Sequence, residues 1–205
     1  MTYGEYIHGV GNHAKEMLFL NLSWGFGMGM IIGGELHYGK SGFSGEYGHF
    51  PFFNNEIICS CGKRGCLETE VSGRAAHRQF IEKLDQGNIS ILSKQHKNGE
   101  TISVGDILNA LTKEDMLAIE VMEQIGIQLG RAVAGLINMF NPEVVVLGGT
   151  LAEAKNYLLL PIKGAINKYA LNFVSKDTSI KLSELGESAG LIGICAIIRN
   201  KMLGL

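Results

Sequence analysis

Short apolar runs and helical spacings follow one another along this chain. Met17-Leu18-Phe19-Leu20-Asn21-Leu22-Ser23 is a compact apolar run, and after a glycine-rich link Met28 to Ile32 is a second, closed by Gly33-Gly34. That pattern predicts two paired strands and a tight turn, with Leu36 to Tyr38 beginning the next strand. Gly39 to Gly48 holds too many glycines for regular structure. From Leu67 to about Leu84 apolar residues recur at helical spacing until Gly87-Asn88 ends the run. Ser103 can cap a helix from Val104 to Leu111, and Thr112 with Asp115 opens a longer one. On that helix Met116, Ile119, Met122, Ile125, Leu129, Val133 and Ile137 fall near one face, and Asn141-Pro142 stops it.

Val144-Val145-Val146-Leu147 reads as a buried strand by its β-branched content, closed by Gly148-Gly149 and followed by a helix from roughly Ala152 to Tyr169. Ile180 to Leu185 supplies a further strand, and Gly186 to Leu203 a glycine-marked turn and an apolar helix. The chain opens on helical residues, Gly4 to His8. A helix, a buried strand and another helix in series predict a layered α/β fold around a central sheet. No repeat, low-complexity tract or linker interrupts it, so residues 1–205 are expected to form one compact unit.

Composition narrows the function. At 205 residues and 46% apolar content the chain can bury a core. Its formal charge of −2, with both signs interspersed, argues against direct DNA binding by this segment. No leader and no apolar run near the ~20 residues of a membrane span is visible, so a soluble cytoplasmic protein is expected. The sequence has 28 glycines against 3 prolines, many of the glycines between Gly25 and Gly48, where the backbone must turn sharply or approach something closely.

Three of the four cysteines stand at Cys59, Cys61 and Cys66, a crowding that suits a metal site in a reducing compartment better than a disulfide framework. Cys195, within an apolar stretch, is expected in the core. With His49 the three thiolates make the donor set that tetrahedral zinc accepts in closed structural sites. Gly62 and Gly65 permit the turn that would aim two sulfurs at one point, and Lys63 and Arg64 can offset the thiolate charge. Four protein ligands leave no position for water, so a zinc here would staple a loop over about residues 45–68 rather than do chemistry.

Gly45-Glu46-Tyr47-Gly48-His49, followed by Cys59-Ser60-Cys61-Gly62-Lys63-Arg64-Gly65-Cys66-Leu67-Glu68, resembles the signature of the ROK family of bacterial repressors and sugar kinases. Gly39-Lys40-Ser41-Gly42 fits the same pattern, and the similarity runs from about Gly4 to the C-terminus. The resemblance implies an actin-like, hexokinase-like ATPase architecture of the ribonuclease H type, of which this chain would be mainly the second lobe. It also implies that Glu46, His49 and Glu68 hydrogen-bond sugar hydroxyls. That agrees with the chemistry, since carboxylates accept from vicinal hydroxyls and a zinc-bound imidazole keeps one ring nitrogen free to donate.

Ser23-Trp24-Gly25-Phe26-Gly27-Met28-Gly29 links two strands with a turn whose N–H groups could cradle a phosphate. Kinases resembling this chain carry Gly-Thr-Gly where Ser23-Trp24-Gly25 stands, and an indole has no hydroxyl to approach a transferred phosphate. Gly148-Gly149-Thr150 and Gly186-Glu187-Ser188-Ala189-Gly190 resemble the family's adenosine-side loops, or are ordinary strand-to-helix turns. The nucleotide candidates are therefore Gly25, Gly27, Gly148 and Gly149. The family's Asn-Asp pair, whose aspartate is the base for the sugar hydroxyl, would precede the segment resembling residues 4–23, so the chain is expected to lack its N-terminal lobe, as a fragment, an isolated domain or a truncated gene product.

The expectation is thus the carbohydrate-binding lobe of a sugar-responsive regulator, catalytically incompetent by itself. Its partners would be a small sugar and a second copy in a homodimer, with DNA reached only through a domain outside this chain, and no membrane. The alternative is part of an ATP-dependent hexose or N-acetylhexosamine kinase, which would add Mg-ATP to the structural zinc.

Overall fold

The computed structural model describes residues 1–204. A five-stranded sheet of order β3-β2-β1-β4-β5 is formed by β1 (Met17–Leu22), β2 (Phe26–Ile32), β3 (Glu35–Leu36), β4 (Val144–Gly148) and β5 (Ser179–Leu182). The three N-terminal strands run as an antiparallel meander. β4 then pairs parallel with β1, Met17 opposite Val144, and β5 parallel with β4. The sheet is therefore mixed, and β1, β4 and β5 all end at the same edge.

Side chains alternate across a strand, so the apolar runs of β1 and β4 are buried on both faces. Leu18, Leu20, Leu22, Met30, Val145 and Leu147 join one core, and Met17, Phe19, Ile31, Val144 and Val146 the other. The helices are α1 (Thr2–His8), α2 (Glu68–Val71), α3 (Gly73–Asp85), α4 (Ser93–Lys97), α5 (Val104–Thr112), α6 (Met116–Phe140), α7 (Asn156–Tyr169), α8 (Asn172–Ser175) and α9 (Ser188–Leu203). Side chains of α2, α3, α5, α6 and α7 complete the larger core. Tyr3 and Tyr6 of α1 pack on the smaller one, and α9 lies against α1. The layered α/β expectation holds.

Several boundaries differ from the sequence expectation. The third strand is two residues long rather than Leu36 to Tyr38, and the last is Ser179–Leu182 rather than Ile180 to Leu185. The helix expected over 67–84 breaks at Ser72, whose backbone is extended and whose hydroxyl accepts from Ala75 N–H at 3.2 Å. The break lets Gly73 and Arg74 donate their N–H groups to Ser23 O and Trp24 O, at 2.7 and 3.0 Å. The helix expected from Ala152 begins after a 3₁₀ turn (Thr150–Ala154) and a residue of positive φ, Lys155.

Two burial expectations are corrected. Cys195 is exposed, because only Ala189, Gly193 and Ala196 of α9 are buried while the rest of its apolar surface faces outward. Met116, placed on the buried face of α6, is 74% exposed, since it is the helix's first residue and extends past the core. The remainder of that face is enclosed by the molecule itself. Met116, Ile127 and Met139 are the large apolar side chains of α6 left exposed.

Candidate functional site

Gly45-Glu46-Tyr47-Gly48-His49 leaves the irregular segment as a 3₁₀ turn (Glu46–His49) laid against β2. Gly45 has φ 91°, and a Cβ there would stand 2.2 Å from Met28 O, so no side chain fits so close to the strand. Tyr47 donates its hydroxyl to Ala132 O of α6 at 3.0 Å, and burial raises its pKa above the ordinary phenol value. Glu46 and His49 are thereby directed outward, with side chains 63% and 32% exposed and His49 Nε2 3.7 Å from Glu46 Oε2.

The following loop folds back on this turn. Phe52 and Phe53 N–H groups donate to Gly65 O, Leu67 N–H to Phe50 O and Cys59 N–H to Lys63 O. Gly62 and Gly65 both take positive φ, as the tight turn requires. The ligand atoms of His49, Cys59, Cys61 and Cys66 consequently lie within 4.8 Å of one another. Cys61 Sγ is 3.6 Å from Cys66 Sγ, and Cys59 Sγ is 3.5 Å from His49 Nδ1. A tetrahedral zinc with Zn–S near 2.3 Å separates its sulfurs by about 3.8 Å, so these edges fit that ion.

Charge leads to the same donor set. Burial, reinforced by the adjacent thiols, pushes Cys66 up to about 12, while the Lys63 backbone N–H draws Cys61 below the ordinary thiol value. Lys63 lies beside Cys61, while Arg64 is engaged with Glu56. A metal bound here would take the sulfurs as thiolates and supply the charge that balances them. Four residues could hold it, leaving His49 Nε2 free.

Glu68 opens α2 and is 7% exposed. Its Oε2 accepts from Phe26 N–H at 2.9 Å and its Oε1 from the Ser60 hydroxyl at 3.0 Å. Cys59 Sγ is 3.7 Å from the same Oε1, so the cluster touches Glu68 as well as His49. Sequence reasoning paired Glu68 with the cysteines but missed Ser60, although its position between two cysteines was a signal.

The nucleotide candidates converge at the C-terminal edge of β1 and β4, where crevices of α/β sheets accept ligands. Gly148 ends β4, and Gly149, at φ 83°, presses on β1 so closely that a Cβ would stand 2.5 Å from Asn21 Oδ1. Gly25 lies in the β1–β2 turn and Gly27 on β2 opposite Asn21. The turn is already engaged: Ser23 and Trp24 carbonyls accept from α3, and Phe26 N–H is taken by the Glu68 carboxylate. Trp24 is 55% exposed, its ring 6.0 Å from that of His77 and under the Arg74 guanidinium at 6.0 Å. Gly149, Thr150, Lys155, Ser183, Gly186 and Glu187 are among the residues that line a cavity of about 230 Å³, where the loop after β4 meets the loop after β5.

A mixed sheet between helical layers, with a Cys₃His cluster beside the ends of its parallel strands, defines the class as an α/β protein with a metal-type loop. The chain belongs to the ROK family, whose model matches residues 1–201. A glucokinase of Halalkalibacterium halodurans is 35% identical over 191 residues, covering 93% of this chain and 58% of that protein. The crystal structure of a ROK family transcriptional regulator, a homolog of the E. coli MLC protein, superposes with a TM-score of 0.85 at 31% identity, over 94% of this chain and 48% of that one. A ROK family glucokinase from Streptomyces griseus, in complex with glucose and AMPPNP, gives a TM-score of 0.85 at 26% identity, over 94% and 63%. The chain thus spans about half to three-fifths of these relatives, which include both repressors and kinases.

Proposed function

We propose that this chain is the carbohydrate-binding lobe of a sugar-responsive ROK regulator, with Glu46, His49 and Glu68 as its sugar ligands and a structural zinc on His49, Cys59, Cys61 and Cys66. The observation that carries the reading is the orientation of His49, with Nδ1 in the thiol cluster and Nε2 toward the exposed Glu46 carboxylate. A metal on Nδ1 leaves the proton on Nε2, which then donates to a sugar hydroxyl while the carboxylates accept. The zinc supplies no chemistry beyond fixing the loop and the imidazole tautomer.

A regulator is favoured over a kinase by the exposed indole of Trp24 and by a turn whose Phe26 N–H already binds a carboxylate. In this reading the chain is a single lobe in the reducing cytoplasm. It pairs with a second copy and reaches DNA only through a separate domain.

The kinase reading is favoured by one feature, the cavity where Gly149 meets the Ser183–Glu187 loop. In that reading Gly149 lines the cavity, and Gly25, Gly27 and Gly148 would border Mg-ATP from the neighbouring strand ends. Calorimetric titration of the zinc-loaded full-length protein with glucose, mannose and N-acetylglucosamine, with and without Mg-ATP and beside Glu68→Gln, separates the two. Sugar binding that Glu68→Gln weakens but leaves measurable, with no ATP consumed, supports the regulator; sugar-dependent ATP turnover rejects it.

A further inference from the structure

We propose that Ser60, between the first two cysteines of the cluster, is a positioning residue that aims the Glu68 carboxylate at the sugar; the inference rests on the sugar-site reading above. Glu68 is 7% exposed, and no lysine, arginine or histidine pairs with it among the described residues. A carboxylate removed from water without a cation must be held by hydrogen-bond donors.

Its two oxygens are held from different parts of the fold. Phe26 N–H of β2 holds Oε2 at 2.9 Å, and Ser60 Oγ–H of the cysteine loop holds Oε1 at 3.0 Å. Cys59 Sγ, 3.7 Å from Oε1, donates only as a thiol, and a zinc-bound thiolate has no proton to give. Once the metal is in place, Ser60 is the side-chain donor left to Oε1. Its hydroxyl has one proton, and the carboxylate at 3.0 Å is a closer acceptor than Cys59 Sγ at 3.7 Å.

Clamped at both oxygens, the carboxylate cannot rotate about its terminal bond. Two donors occupy part of its acceptor capacity, about four lone-pair sites, and the rest faces in one fixed direction. That direction selects which vicinal hydroxyls of a sugar can reach it together. Ser60 therefore shapes affinity and epimer preference without touching the sugar, and because it is exposed its replacement leaves the core intact.

The test is calorimetry on the zinc-loaded full chain with glucose, mannose and N-acetylglucosamine, using wild type, Ser60→Ala, Ser60→Thr, Glu68→Gln and the Ser60→Ala/Glu68→Gln pair, with zinc content measured for each. The expected result is that Ser60→Ala weakens the best-bound hexose about tenfold, as loss of one hydrogen bond to a charged group does. It should also narrow the preference among the three sugars, keep full zinc and add nothing in the Glu68→Gln background, while Ser60→Thr restores binding. Wild-type binding by Ser60→Ala, loss of its zinc, or an additive effect with Glu68→Gln overturns the inference while the sugar site stands. Binding by Glu68→Gln equal to wild type, or no hexose bound by wild type, removes the sugar site and the inference with it.

Discussion

Glu68 and Gly25 show how much a single position depends on distant contacts. A Cβ on Gly25 would stand 2.9 Å from Glu68 Oε2, the oxygen held by Phe26 N–H. Gly25→Ala is therefore expected to push the carboxylate off its donor, weaken hexose binding at least severalfold and cost about 1–3 kcal/mol of stability; unchanged calorimetric affinity would refute this. Glu68 was legible as a candidate through the resemblance of the Cys59–Glu68 run to the ROK signature. Its grip on Phe26, 42 residues earlier, was not legible, because no local pattern records a contact made across the fold. Cys195 gives the converse case: an apolar neighbourhood in sequence says that a segment can be buried, not which residue of a helix faces a partner.

At the scale of elements, the cysteine loop is anchored to the larger core at its ends by Tyr47, Phe52, Phe53 and Leu67, while its tip is held by a few backbone bonds and the cluster. Structural zinc binding contributes on the order of 10 kcal/mol in small zinc peptides. Stripping the metal with a strong chelator is expected to open residues 44–68 to limited proteolysis while α6 and the sheet remain protected; protease resistance unchanged across that loop would refute the staple. α5 offers an independent test. Ser103 and Asp106 form a reciprocal capping box, and hydrogen bonds from Ser103 hold the Asp106 carboxyl below its ordinary value. Ser103→Ala should cost about 1 kcal/mol in denaturant unfolding. The carboxylate's share of the cap is present above the unfolded pKa of about 4 and lost as pH falls through the lower folded value, so the gap between variant and wild type should narrow in strong acid without closing, because Ser103 Oγ still accepts from Asp106 N–H. The cap was legible because its partners are three residues apart. The break at Ser72 was not, because it answers to Ser23 and Trp24 carbonyls on a different element.

At the scale of the whole molecule, the two ends of the chain meet where α1 crosses α9. A Cβ on Gly4 would stand 2.2 Å from Ala189 O, so Gly4→Ala must part the two helices. Overpacking of this kind costs roughly 1–3 kcal/mol. Hydrogen exchange should show α9 losing protection before the sheet does, and equal protection would show that the helices separate without consequence. The sequence alone determined what depends on near neighbours along the chain: the β1–β2 pair, the long helix and its stop at Asn141-Pro142, the buried β4 run, and the spacing that brings three cysteines and His49 to one point. Periodicity and turn chemistry act over a few residues, so they are written locally. Tertiary structure decided the parallel pairing of β1 with β4, the convergence of Gly149 with the β1–β2 turn, the two-sided clamp on Glu68 and the exposure of Cys195 and Met116. Each of these depends on which surfaces meet after the chain has closed long loops, and an apolar face specifies only that it will be covered, not by what.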